Sequence, residues 1–230
     1  MKKKSLIFLC ISMAAFLIAC ASANNNVAEE SGEDIAAIED EELADSEDLE
    51  ESDDSSVLPE YEYPGPEYFY SKLYQYMILE LGANYDSADV TIPCPIIVYE
   101  DDLGGGSYDV YGDFWIDNYN LNGDILECVS GGSYPGVIHM VAEDDGYNIT
   151  MEVVGDGSEF IESAKEIFGE HYDDFMKVYS DNDYKQQVRA QIIANYVAAN
   201  DLDIVAYQDY GWDPVELPEE NIDSFYSILD

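Results

Sequence analysis

Residues 114–129 read FWIDNYNLNGDILECV, and this stretch decides the predicted fold. Asn122 and Gly123 form a dipeptide that strongly favours a two-residue turn, because both turn positions need a positive φ. The segments on either side, Phe114–Leu121 and Asp124–Val129, are rich in aromatic and branched residues, as strands are. We therefore predict an antiparallel hairpin here.

A second hairpin is predicted further along the chain. Val137–Ala142 and Tyr147–Val154 flank Asp145 and Gly146, another turn dipeptide. With Asp145 and Gly146 as the turn, His139 lies opposite Glu152 on the next strand. Residues 130–136 (SGGSYPG) are predicted to form a flexible loop between the two hairpins.

A fifth strand is predicted ahead of the first hairpin, at Val90–Glu100. Its two prolines, Pro93 and Pro95, cannot donate to a neighbouring strand and therefore place it at a sheet edge. Cys94 and Cys128 then fall on strands two apart, about 9.5 Å from each other. Export would permit a disulfide, but this spacing exceeds the reach of about 7 Å. We predict two buried free thiols.

Helices are predicted on both sides of the strands. Apolar residues four apart, from Phe69 to Leu81, predict a helix that ends at Gly82. A second apolar stripe, Phe160–Tyr179, crosses Gly169, which we expect to bend or divide the helix. Ser180 is predicted to cap the next helix, whose stripe is Val188, Ile192, Tyr196 and Ala199, and Glu220–Leu229 to form a last short one.

This order of elements predicts an α+β fold. An N-terminal helix packs on a curved, mainly antiparallel five-stranded meander, and helices follow it. The globular domain spans residues 60–230. Within it stand 36 acidic and five basic residues. This charge excludes nucleic-acid binding, since phosphates would be repelled, and it disfavours direct adsorption to anionic lipids.

The first 20 residues read MKKKSLIFLCISMAAFLIAC. Three lysines precede an apolar run that is shorter than the roughly 20 residues of a membrane span, which predicts a signal peptide over residues 1–19. Leu17, Ala19 and Cys20 resemble a bacterial lipobox, which implies lipidation of Cys20 and an extracytoplasmic, lipid-anchored protein. The alternative is a soluble secreted protein cleaved after Ala23.

Residues 20–59 follow as the lipidated cysteine and an acidic tether. Residues 24–59 hold 15 acidic residues and no basic or aromatic residue. Like charges repel and little can collapse, so we predict a disordered, extended segment that holds the domain away from the membrane. The membrane is contacted through the lipid anchor alone, and we expect a monomer.

Two resemblances extend this description. Residues 110–115 (VYGDFW), 130–136 (SGGSYPG) and 207–214 (YQDYGWDP) resemble segments of acidic lipoproteins from Gram-positive gut anaerobes, a family without an assigned activity. That resemblance implies a location and no mechanism. Over residues 66–155 the element order is similar to the NTF2-like and cystatin-like group, in which a curved antiparallel sheet wraps a helix.

Candidate site residues come from the strands and the glycine-rich segment. A ligand-binding site is predicted on the concave sheet face, with Trp115, Tyr119, Ser130, Ser133 and Tyr134. A catalytic pair is predicted at His139 and Glu152, because a carboxylate beside a histidine can orient it as a general base.

No metal site or cofactor is predicted. Residues 118–129 imitate half of a calcium loop, but Val129 stands where the bidentate glutamate would be needed. Acid pairs such as Asp101 and Asp102 could collect divalent cations weakly.

The leading interpretation is a non-enzymatic binding or accessory domain for an envelope glycan, peptide or protein. The alternative is an envelope hydrolase that uses carboxylates or the His139 and Glu152 pair.

The anchor can be tested by Cys20→Ala. We expect this variant to appear in the culture medium, because it lacks the residue that would carry the acyl chains. Immunoblots of membrane and medium fractions measure the effect. Equal retention of wild type and variant in the membrane fraction would contradict the lipobox interpretation.

Overall fold

A computed structural model describes residues 58–224. The predicted signal peptide, Cys20 and nearly all of the predicted tether lie outside these residues, as does the end of the predicted last helix. Among the described helices, none combines the length and the apolar character needed to cross a membrane.

One sheet organises the described chain. Its strands, in chain order, are β1 (Val90–Gly104), β2 (Ser107–Asn122), β3 (Ile125–Glu143), β4 (Gly146–Val153), β5 (Ala206–Gln208) and β6 (Val215–Glu216). The first four form an antiparallel meander. β5 then pairs in parallel with the start of β3, and β6 pairs antiparallel with β5. The mixed α+β fold with a mainly antiparallel sheet is confirmed.

The strand count and the element order differ from the prediction. The structure has six strands where five were predicted, and the chain returns to the sheet after the helices. β5 and β6 are only three and two residues long, which is too short for a recognisable pattern of alternation.

The prediction of a loop at residues 130–136 is also wrong. β3 runs for 19 residues without interruption and pairs with β2 along most of its length. The glycines of this segment allow neighbouring strands to approach closely, and they do not make the segment a flexible loop. A Cβ at Gly131 would lie 2.6 Å from the carbonyl oxygen of Ile116 on the neighbouring strand.

The helices are α1 (Tyr68–Tyr76), which continues through a π-helical turn to Leu81, α2 (Phe160–Phe168), α3 (Tyr172–Tyr179) and α4 (Asn182–Ala199). Gly169 has a φ of 51° and separates α2 from α3, as predicted. Asp181 caps α4 by accepting from the Tyr184 amide at 3.0 Å. Ser180 was the predicted cap, but its hydroxyl donates to the Met176 carbonyl.

The sheet is covered on both faces. On one face α1 buries Leu73 and Met77 against Phe114, Ile116 and their neighbours on β2 and β3. On the other face α4 covers β1 and β2, and α2 and α3 pack beside it. In this interface α4 buries Val188, Ile192 and Ile193, and the strands bury Ile92, Cys94 and Tyr119.

The two cysteines of the described chain are free thiols, as predicted. Cys94 is buried on β1, and burial raises the pKa of its thiol. Cys128 on β3 is only half-buried, and the pKa of its thiol is raised to about 11, mainly by burial.

A matched pair of leucines tests the packing of the α1 helical segment. Leu73 is 0% exposed and Leu79 is 62% exposed. We expect Leu73→Ala to lower the free energy of unfolding by about 2–5 kcal/mol, because it leaves a cavity in the core. Leu79→Ala should change it by less than about 0.5 kcal/mol. Urea unfolding followed by tryptophan fluorescence measures both. Similar losses in the two variants would contradict this packing.

Candidate functional site

A cavity of about 510 Å³ lies between the start of α4, the middle of β1 and β2, and the segment that joins β5 to β6. Its volume falls in the range of roughly 300–1,000 Å³ that is typical of small-ligand sites. The chain has two tryptophans, Trp115 and Trp212, and both line this cavity together with Tyr207. We call it the tryptophan cavity.

Trp115 forms part of the inner wall and is held by a buried carboxylate. Its indole Nε1 donates to Asp113 Oδ2 at 2.7 Å, and the Ser133 hydroxyl donates to Asp113 Oδ1 at 2.5 Å. Burial raises the pKa of Asp113, while Ser133, Trp115 and Lys185 act in the opposite direction. The bond to Asp113, a carboxylate that Ser133 also holds, fixes the orientation of the indole.

Two basic residues of α4 line the tryptophan cavity. Lys185 and Arg189 are four residues apart and so lie on the same side of the helix. The Lys185 ammonium donates to the Tyr179 carbonyl at 2.9 Å and lies 4.0 Å from Asp113 Oδ2. It also lies 5.2 Å from the ring centre of Trp115, within range of a cation–π contact.

Arg189 connects α4 to both β2 and the C-terminal strands. Its Nη1 and Nη2 donate to the two carboxylate oxygens of Asp209, at 2.9 and 2.7 Å, in a bidentate ion pair. Its Nε donates to the Tyr119 hydroxyl at 2.7 Å. The guanidinium also stacks over Tyr207, 4.7 Å from the ring centre. Arg189 thereby holds the residues that follow β5 against the rest of the domain.

Asp117 is a buried carboxylate behind this network. Its Oδ2 lies 3.1 Å from Arg189 Nε, close enough for an ion pair, yet that N–H is directed to Tyr119. Oδ2 therefore makes no hydrogen bond within the described chain. Burial raises the pKa of Asp117 to about 6, although Arg189 favours its charged form.

The mouth of the tryptophan cavity is polar. Asp183, Asp209 and Asp213 contribute carboxylates, and Asn182 and Gln186 contribute amides. Trp212 stands at this mouth with 76% of its surface exposed. A turn positions it, in which the Trp212 amide donates to the Asp209 carbonyl at 3.0 Å. The lining thus combines flat aromatic surfaces with both hydrogen-bond donors and hydrogen-bond acceptors.

The structure separates the five predicted ligand residues. Trp115 lines the tryptophan cavity, Ser133 supports it through Asp113, and Tyr119 is fully buried beneath Arg189. Tyr134 packs with the residues under α1, where its hydroxyl lies 2.9 Å from that of Tyr85. Ser130 accepts from the Asn118 amide at 3.1 Å and is not part of the lining.

The sequence-based prediction missed four residues that line the tryptophan cavity. Lys185, Arg189, Asp209 and Trp212 all follow residue 180, and the predicted site stopped at the meander. Basic residues four apart on one helix, in a domain with only five, were the signal that could have found the first two. Their acidic partners depend on pairing between distant segments, which a sequence does not display.

The predicted pairing of His139 with Glu152 is wrong. β3 and β4 are joined through Asp144 and Asp145, so that Thr150 lies opposite His139 and Val137 opposite Glu152. The turn falls one residue earlier than predicted because Gly146 belongs to β4. The carboxylate partner of His139 comes from β2 instead, with Nδ1 2.7 Å from Oδ1 of Asp109. This pair is not part of the tryptophan cavity.

The hairpin predicted at residues 114–129 is confirmed, with Asn122 opposite Ile125. Across residues 58–224, no group of three or more histidine, cysteine, aspartate or glutamate side chains is placed to hold a metal ion.

The raised pKa of Asp117 predicts a pH dependence. Because the folded state holds the proton more tightly than the unfolded chain, the stability that this group contributes is present in full below about pH 4 and is lost as the pH rises through about 6. Asp117→Asn removes this loss. We expect its free energy of unfolding, relative to wild type, to improve by about 2 kcal/mol between pH 4.5 and pH 7.

Guanidinium unfolding at the two pH values measures this difference. Asp203→Asn, at an exposed position, controls for the removal of one negative charge. A difference between Asp117→Asn and wild type that does not vary with pH would show that Asp117 is ionised without penalty.

Comparison with known proteins found no family model, no curated protein and no solved structure that matches this chain.

Proposed function

We propose that this protein is a lipid-anchored, extracytoplasmic binding domain that takes a carbohydrate into the tryptophan cavity. The observation that carries this proposal is the position of the two tryptophans. Trp115 is fixed in the inner wall and Trp212 is exposed at the mouth of the same cavity.

The chemistry of the lining supports a carbohydrate. The faces of sugar rings carry C–H groups that pack on flat aromatic surfaces, and covering an exposed aromatic ring gains on the order of 2 kcal/mol. Sugar hydroxyls both donate and accept hydrogen bonds. The carboxylates of Asp183 and Asp213 accept, and the amides of Asn182 and Gln186 do both.

Binding is favoured over hydrolysis by the placement of the carboxyl groups. A glycosidase needs two carboxyl groups that face the sugar, one of them with a raised pKa. Asp113 and Asp117 have raised pKa values, but both are buried behind the lining residues. Asp113 is also occupied by Trp115 and Ser133. The lining itself is therefore arranged for recognition.

The proposed location at the cell surface rests on the sequence. The predicted signal peptide, the predicted lipidation of Cys20 and the acidic segment up to residue 59 together support a domain held at the outer surface of the cell membrane. An envelope glycan is the carbohydrate that such a domain would meet. The strongly acidic domain would be repelled by anionic polymers, so a neutral glycan suits it best.

Trp212→Ala tests the proposal. We use tetrasaccharides of N-acetylglucosamine, glucose and mannose as probes in isothermal titration calorimetry. We expect at least one to bind wild type, and its Kd to rise about tenfold or more in the variant, because 1.4 kcal/mol corresponds to a factor of ten.

Tyr210→Ala is the matched control. Tyr210 lies two residues from Trp212, is 97% exposed and is not part of the cavity lining. Its removal should leave the Kd unchanged. Failure of all three sugars to bind wild type, or equal losses in the two variants, would contradict carbohydrate binding in the tryptophan cavity.

A further inference from the structure

A groove of about 620 Å³ lies between the α1 segment and β4, away from the tryptophan cavity. On the helical side it is lined by Lys72, Gln75, Tyr76, Leu79 and Glu80. Steps of three and four residues keep these side chains on one side of the helix over about two turns. The groove therefore runs along the helical segment.

The other side of the groove is the open edge of the sheet. β4 pairs with β3, and within residues 58–224 no strand pairs with its second edge. Just beyond β4, the Val154 amide donates to the Pro135 carbonyl at 2.8 Å. In an antiparallel pair such bonds alternate, so the backbone groups of Tyr147, Ile149 and Met151 point outward.

The three residues whose backbone groups point outward also contribute side chains to the lining of the groove. Tyr147, Ile149 and Met151 contribute to its wall, and their side chains pack beside the core under α1. An unpaired row of amides and carbonyls thus borders a depression with apolar patches. Leu79, which is 62% exposed, faces it from the helical side.

We propose that this groove binds an extended, basic peptide segment that adds to β4 as a further strand. Its backbone would pair with the outward amides and carbonyls of Tyr147, Ile149 and Met151. Every second side chain would enter the groove between α1 and β4. Addition of a strand to an open sheet edge is an established mode of peptide recognition, in which the backbone bonds supply affinity and the pockets supply selectivity.

The charge of the surroundings selects a basic partner. Glu80 and Asp145 line the groove, Glu143 ends β3 and Asp144 lies in the turn before β4. Lys72 is the basic residue of the lining, and its ammonium already donates to the Gln75 side chain at 3.0 Å. A peptide with lysine or arginine at alternate positions meets unbalanced negative charge there.

The same charges disfavour a second copy of this chain in the groove. Pairing two β4 strands would bring together two domains that each carry 36 acidic and five basic residues. Repulsion between them opposes such a dimer. A basic peptide is attracted by the same field.

The test uses a nine-residue peptide in which lysine alternates with valine and isoleucine. We expect it to bind the residue 20–230 protein in isothermal titration calorimetry, and to slow hydrogen exchange at the Ile149 and Met151 amides as observed by NMR. A second peptide has the same sequence and charge, with methyl groups on the alternate backbone nitrogens that would face β4. It should bind at least tenfold more weakly, since it cannot complete the added strand.

Two pairs of variants locate the site on the protein. Met151→Pro removes an outward N–H, which an edge strand tolerates, while Met151→Ala keeps the N–H and loses the side chain. We expect Met151→Pro to weaken binding more. Leu79→Lys should weaken peptide binding, because it adds a positive charge and bulk to the groove. Leu103→Lys is the control at another exposed leucine, 55% accessible to solvent, and should leave binding unchanged.

Three results would overturn the proposal. Equal binding of the methylated peptide would show that general attraction between opposite charges explains the affinity. Binding without protection of the Ile149 and Met151 amides would place the peptide elsewhere. Protection of these amides in the absence of peptide, together with a dimer in analytical ultracentrifugation, would show that a second copy occupies the edge. None of these results depends on whether the tryptophan cavity binds a carbohydrate.

Discussion

The bidentate ion pair between Arg189 and Asp209 is the interaction on which the candidate site depends. It joins α4 to the residue that follows β5, and the same guanidinium donates to Tyr119 on β2. Without it, the turn that carries Trp212 would be held mainly by the short pairing of β5 with β3. Loss of Asp209 is costly because Arg189 is the more buried partner, with 14% of its side chain exposed against 41% for Asp209, and its charge would stay in the interior.

This network explains why an acidic protein retains a few basic residues in particular places. Lys185 and Arg189 do not reduce the net charge of the surface in any general way. Each stands beside a buried aspartate of β2, Lys185 by Asp113 and Arg189 by Asp117. Each basic residue thus provides a nearby opposite charge for a carboxylate that would otherwise be isolated.

Much of the fold could be predicted from local patterns. The hairpin at residues 114–129 and the division of the helices at Gly169 both follow from residues that act on their immediate neighbours. The failures have a common origin. Residues 130–136 were predicted to be a loop from their glycines, but pairing with β2 decides their conformation, and glycine at 131 permits the close approach.

The candidate site was harder to predict than the fold. Trp115, one of the predicted ligand residues, stands in a strand with a clear pattern and lines the tryptophan cavity. The other half of the tryptophan cavity comes from α4 and from the segment after β5, some 70 to 100 residues further along the chain. A two-residue error in the register of β4 against β3 was enough to place Glu152 opposite His139, where the structure has Thr150, while the carboxylate neighbour of His139 is Asp109 on β2. Such errors leave the predicted fold unchanged, but they change which side chains are expected to be neighbours.

The parallel pairing of β5 with the start of β3 has a consequence for the order of events during synthesis. A chain is made from its N-terminal end, so the meander of β1 to β4 is complete before Arg189, Asp209 and Trp212 are added. Until then the aromatic wall around Trp115 and the carboxylates of Asp113 and Asp117 face water. The early meander thus has a temporarily hydrated surface, and the cavity closes over it as the last step of assembly. A premature stop after α3 would leave the part of the sheet face that α4 covers exposed to water.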